Sequence, residues 1–236
     1  MRGYGQFCSV AQALEVLGER WTLLVVRELI EGSSRFNELL RGVPLMSRTL
    51  LSQRLKTLES CGVVERRKGE GGAPEYHLTE AGRDLQPIVS SIGIWGQRWA
   101  HRELTRDDLD PTLLMWDMQR RLDVDALPER RTVVQFWFRD MPASKNRFWL
   151  RLDKPDVELC LHNPGRDVDL KVETKCRTMV DVWMGHRELR AALRAREITL
   201  DGPRRLQRAF ADWLLLSYFA PAGRAQAEAG RLSGRA

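Results

Sequence analysis

The chain has 236 residues, 43% of them hydrophobic and 30% charged, with a net charge of +6 and a pI near 9.4. That length suits two domains better than one, the composition excludes a disordered chain, and no apolar run approaches the ~18 residues of a membrane span. Cys8, Cys61, Cys160 and Cys176 form no CxxC pair and have no histidine at ligand spacing, which argues against a metal site or a disulfide framework.

The N-terminal "MRGYGQFCSV" lacks the apolar core of a signal peptide, so the expected location is the cytoplasm. Residues 9–17, "SVAQALEVL", place Val10, Ala13, Leu14 and Leu17 on one helical face, and Gly18 ends the pattern. A second helix over 20–31 carries Trp21, Leu24, Val25 and Leu29, with Gly32 as its stop. "RFNELLRG" predicts a short third helix ending at Gly42, and "VPLM" a turn around Pro44.

The next stretch, "SRTLLSQRLKTLES", divides on a helical wheel. Leu51, Leu55 and Leu58, flanked by Leu50, line one face, and Thr49, Ser52, Gln53 and Lys56 line the other. Ser47 suits the N-cap. Arg48 stands in the first turn, where a cation opposes the helix dipole, and an external phosphate or base edge would give it a reason to be there. Two short β-like runs follow, Val63–Lys68 and Glu75–Leu78, joined by a loop rich in Gly and Pro. Residues 47–68 hold six basic side chains against Glu59 and Glu65, so positive charge gathers here.

Short helix, turn, amphipathic helix and basic hairpin form the order of a winged helix-turn-helix. The polar helix face has the size to enter a major groove, and Arg66, Arg67 and Lys68 on the hairpin can reach phosphates. An amphipathic helix taken alone is more often a solvated surface helix; the tandem order is what favours the DNA reading.

"CSVAQALEVLGERWTLLVVREL", "RFNELLRGVPLMSRTLLSQRLKTLESCGVVERR" and "EYHLTEAGRDL" resemble the HxlR family of winged-helix regulators, near the MarR group. The resemblance implies sequence-specific binding of double-stranded DNA by a homodimer, commonly as a repressor. It puts the recognition helix on Ser47–Ser60 and the wing on Val64–Tyr76. Ser9 stands where the family often has Pro, and Cys8 matches an N-terminal cysteine that in some members senses redox state.

Thr79 is the expected N-cap of a helix over Thr79–Glu103, bent near Pro87. Leu85, Ile88, Ile92, Trp95 and Trp99 form a heptad-like stripe, read as a dimer interface with the protein's own core as the alternative. The first domain is thus 1–104, mainly α, and "TRDDLDP", 105–111, reads as a linker.

Beyond the helix "TLLMWDMQRRL" the period changes to two. "TVVQFWFRD", "RFWLRLD", "VELCLHN" and "DVDLKVE" predict four consecutive strands of an antiparallel sheet with one apolar face, "NPGRD" being the clearest turn. "TMVDVWMGHRELRAALRAR", broken at Gly185, a short "EITLDG" strand and "PRRLQRAFADWLLLSYF" complete an α+β domain over 112–220, its sheet covered by helices. The tail 221–236 reads as disordered. This half resembles the sterol carrier protein type 2 fold, which implies an apolar cavity and a hydrophobic small-molecule ligand. The candidate lining is Phe136, Phe138, Phe148, Leu150, Leu159, Val180, Trp183 and Met184, with a plain core as the alternative.

No cofactor is expected. An enzyme is disfavoured because no GxSxG, phosphate loop or metal spacing occurs and His77, His101, His162 and His186 are scattered. The competing non-enzymatic reading is a lipid carrier or adaptor whose winged helix serves protein contacts.

Overall fold

Helices form where apolar residues recur at helical spacing in the first sixty residues. The computed structural model, which describes residues 3–100 and 103–223, has α1 at Ser9–Leu17, α2 at Thr22–Ile30, α3 at Phe36–Gly42 and α4 at Arg48–Ser60. A hairpin follows, β1 Val64–Lys68 antiparallel to β2 Pro74–Leu78. Val25, Val26, Leu29, Leu39, Leu51, Leu55 and Leu58 make one core, closed by Val63 and Val64. The leucine face of α4 is therefore buried as its pattern requires.

The face expected for α1 is not buried. Only Ala11 of that helix is buried, and Val10 and Leu14 are exposed, as is Phe7 at 98%. Periodicity identified the apolar face but could not show that the chain itself leaves it uncovered.

Thr79 accepts a hydrogen bond from Gly82 N–H and caps α5, Glu80–Arg83; α6 then runs over Leu85–Trp99. The break at Asp84 follows from Pro87, which has no N–H for the Arg83 carbonyl and crowds it.

The chain divides into two compact units, Met1–Gly93 and Ile94–Ala236. In the second, α7 covers Pro111–Gln119, α8 Cys176–Trp183, α9 Leu189–Arg194 and α10 Arg204–Trp213. The strands are β3 Thr132–Phe138, β4 Arg147–Asp153, β5 Asp156–Cys160, β6 Leu170–Thr174 and β7 Ile198–Asp201. The expected linker carries structure: Asp110 accepts from Thr112 and Leu113 N–H and caps α7, with Pro111 at its first position. Residues 220–223 are helical with Ala222 buried, so the expected disordered tail does not begin at 221; its remainder, 224–236, lies outside the described residues.

The sheet has five strands in the order β5-β4-β3-β6-β7 and is mixed, which corrects the antiparallel expectation. β6 does not extend a hairpin from β5. It crosses over and pairs parallel to β3, Val134 opposite Leu170 and Phe138 opposite Thr174. Two carboxylates explain the placement. Asp169 accepts from Val133 N–H at 2.9 Å, pairs with Arg130 at 2.6 Å, and donates its own N–H to the Val133 carbonyl. At the far end, Asp140 accepts from Cys176 N–H at 2.7 Å. These bonds hold both ends of β6 beside β3. Val168 and Leu161, expected on the apolar faces of strands, lie outside them and are exposed. Leu114, Met115 and Met118 of α7, Met179 and Val182 of α8, and Leu206, Phe210 and Trp213 of α10 cover the apolar face of the sheet.

Gly42 tests the packing of the first unit. A Cβ there would lie 1.9 Å from the carboxyl carbon of Glu28, itself fully buried. Gly42→Ala is expected to destabilise the unit by about 1–3 kcal/mol, the usual cost of overpacking, read as a fall in the urea midpoint at unchanged slope. An unchanged midpoint would mean that Glu28 has room to move.

Candidate nucleic-acid interface

The candidate site is the solvent side of α4 with the β1–β2 hairpin. Ser47 accepts from Leu50 N–H at 3.2 Å and starts α4 as expected. Thr49, Gln53 and Lys56 are exposed and Ser52 is half-buried, so the polar face of α4 is open to solvent.

The arginines divide into two groups. Arg48 is exposed but donates to Asn37 Oδ1 at 2.9 Å and lies over the Phe36 ring at 5.4 Å. Its place in the first turn thus has an internal reason, a tie from the start of α4 to α3. Arg54 turns inward, with Nη2 2.7 Å from Glu19 Oε2 and Nε donating to the Arg20 carbonyl. It fastens α4 to the turn before α2 and is absent from the exposed polar face.

On the hairpin, Arg67 is paired with Glu65 two residues back on the same strand face. Arg66 and Lys68 share the opposite face; both are exposed, and neither has a carboxylate partner among the described residues. Residues 34–35 add a third rung: Tyr76 N–H donates to the Ser34 carbonyl, Arg35 bridges to Glu75, and their side chains pair at 3.2 Å. Sequence reasoning missed this rung, because two residues are too few to show strand alternation. It also missed Leu45, 80% exposed in the turn before α4, where a single apolar residue gives no pattern.

The stripe on α6 divides. Leu85 packs on the core of the first unit, while Ile88, Ile92, Trp95 and Trp99 are exposed, Trp99 at 68%. The eight side chains offered as a cavity lining belong to the core of the second unit. Phe136, Phe138, Phe148, Leu150 and Trp183 are buried in it, and Leu159, Val180 and Met184 are half-buried against it. Phe138 meets Phe148 edge-on at 5.9 Å between centroids, and Phe136 lies 6.2 Å from Phe210. Among the described residues, no group of three His, Cys, Asp or Glu side chains is placed to hold a metal ion, and no helix is long and apolar enough to cross a membrane.

The cysteines differ chemically. Cys8 is exposed at the N-cap of α1, where the backbone N–H groups of Ala11 and Val10 lower its thiol pKa. Burial pushes the Cys176 thiol up to about 12, helped by Asp140 and Asp110.

The family model described as HxlR-like helix-turn-helix matches residues 16–104. Over 97 residues the chain is 34% identical to the uncharacterized HTH-type transcriptional regulator YdeP of Bacillus subtilis strain 168, covering 40% of this chain and 76% of that one. Over 98 residues it is 43% identical to the uncharacterized HTH-type transcriptional regulator Rv3095 of Mycobacterium tuberculosis strain H37Rv, covering 40% of this chain and 60% of that one. Among solved structures, the reduced form of the transcriptional regulator YodB from B. subtilis matches at 31% identity with a TM-score of 0.36, over 41% of this chain and 97% of that one.

A thiolate, not a thiol, attacks an alkylating reagent. Iodoacetamide at pH 8 is therefore expected to modify Cys8 in the folded chain and to spare Cys176 until denaturant is added, with peptide mass spectrometry as the readout. The Cys8 rate should also level off at a lower pH than that of an ordinary thiol. Equal labelling of both would show that α8 opens readily.

Proposed function

The chain belongs to the HxlR-like helix-turn-helix family, and from that membership we propose that it is a dimeric, sequence-specific DNA-binding repressor of transcription. One observation carries the reading: the leucines of α4 are buried while Thr49, Gln53 and Lys56 stand in solvent beside a hairpin bearing Arg66 and Lys68. In this reading the α4 face, with Ser52 at its edge, reads base edges in a major groove. Ser47, Arg48 and Arg67 flank that contact, and Arg66 and Lys68 meet backbone phosphates. The exposed Ile88, Ile92, Trp95 and Trp99 form the interface with a second copy, a reading that the exposed Phe7, Val10 and Leu14 also favour. The second unit senses a hydrophobic small molecule at the half-buried Leu159, Val180 and Met184.

The test is binding of the purified chain to the DNA upstream of its own gene at two salt concentrations, against scrambled competitor. Specific, salt-sensitive binding is expected; no binding at low salt would move the reading to a carrier or adaptor. Within that assay Arg66→Ala with Lys68→Ala should weaken binding to all sequences and flatten the salt slope by about two. Arg67→Ala should change it less, because Glu65 already pairs with that charge. Release of the DNA by a hydrophobic compound that binds the chain supports sensing, and indifference to every such compound removes it.

Trp99→Ala should shift the chain toward monomer in analytical ultracentrifugation and weaken operator binding with it. A variant that stays fully dimeric would take the α6 stripe out of the interface.

A further inference from the structure

The second unit holds a groove of about 660 Å³ between the end of α9, the edge strand β7 and the start of α10. Its apolar lining is Ile198, which is buried, and Leu193 and Leu200, half-buried against the core. Thr199 and Gln207 also line it, together with three exposed arginines, Arg196, Arg204 and Arg208. No carboxylate lines it, and none of the three arginines has a carboxylate partner among the described residues. Of the acidic residues near them in sequence, Glu197 is bound by Arg187 through two hydrogen bonds, at 2.9 and 3.1 Å, and Asp201 and Asp212 form no ion pair with the three arginines among the described residues.

Two of these arginines sit where the backbone disfavours them. Arg196 has φ +55°, in the left-handed region, just past the end of α9. Its N–H bonds the Leu193 carbonyl and that of Glu197 bonds the Ala192 carbonyl, a helix stop that glycine makes without strain. Arg204 occupies the first turn of α10, where a cation meets the positive end of the helix dipole, and no acidic residue shares that turn. Both arginines add positive charge to one concave, partly apolar surface.

We propose that this groove binds a small phosphate ester, its doubly charged phosphate held by Arg196, Arg204 and Arg208 and its organic body laid on Leu193, Ile198 and Leu200. Guanidinium forks match phosphate oxygens in shape and charge, and three of them suit a dianion better than a single carboxylate. The groove's lining belongs wholly to the second unit and shares no residue with Leu159, Val180 and Met184, so the inference stands without the DNA reading.

The test titrates the full chain by calorimetry with 1-naphthyl phosphate, 1-naphthol and inorganic phosphate. Saturable binding of 1-naphthyl phosphate, one per chain, is expected, with each of the other two weaker by roughly tenfold or more. Arg204→Ala combined with Arg208→Ala should weaken it by a similar factor. Arg196→Gly separates binding from folding: relief of the left-handed strain should leave the thermal midpoint equal or higher while affinity falls. Binding unchanged in the double variant, or 1-naphthol binding as tightly as its phosphate, overturns the proposal. Inorganic phosphate binding as tightly as the ester removes the role of the apolar lining. Loss of DNA affinity in the double variant, with no 1-naphthyl phosphate binding to the full chain, makes the groove a backbone contact and also overturns it.

Discussion

Glu28 is fully buried in the first unit, and its neighbours are arranged around its charge. Arg27 contacts it at 2.5 Å and uses the same guanidinium nitrogen to donate to the Gly42 carbonyl at 3.1 Å; the Ser33 hydroxyl donates to the carboxylate. A buried charge left without its partner costs about 3–5 kcal/mol, so these contacts are held together or lost together. They tie α2 to the last residue of α3, and the turn into α4 starts there. The direction in which α4 presents its polar face thus depends on a carboxylate more than twenty residues away from most of that face, and on a glycine that leaves room for it.

Electrostatics in this unit is mostly internal. Arg54 is bound to Glu19, Arg67 to Glu65 and Arg35 to Glu75, and Arg48 is held by Asn37 and Phe36. Counting basic residues between 47 and 68 therefore overstates the charge available to a partner. Between 47 and 68, the basic groups that face water without a carboxylate partner among the described residues are Arg48, Lys56, Arg66 and Lys68, and of these Arg48 is already tied to Asn37. Lys56, Arg66 and Lys68 can neutralise a phosphate, and so release the cations condensed on it, without first giving up another partner.

What the sequence made legible follows the range of the forces involved. The buried face of α4, the N-caps Ser47 and Thr79, the break near Pro87 and the strands of the second unit are local, set by spacing and by single residues. Partners far apart in the chain were not legible. Arg54 finds Glu19 across thirty-five positions, and Asp169 finds Val133 across thirty-six. Alternation shows which face of a strand is apolar, but nothing in it identifies the neighbouring strand, and so the parallel β6 was missed. Nor does periodicity separate an apolar face that the chain covers from one that it leaves open, as α1 shows with Val10 and Leu14 exposed.

The position of β3 has a consequence for how the second unit is made. β3 is central, with β4 on one side and β6 on the other. Its partner β4 arrives within a few residues, but β6 begins only at Leu170, after β4, β5 and the crossover. While the chain is synthesised, β3 therefore presents an unpaired edge of apolar, β-branched and aromatic residues, "TVVQFWF", until residue 174 emerges. An open edge of that composition is the usual template for wrong pairing between chains. Formation of the β3–β6 pair, a contact distant in sequence, sets how long that exposure lasts.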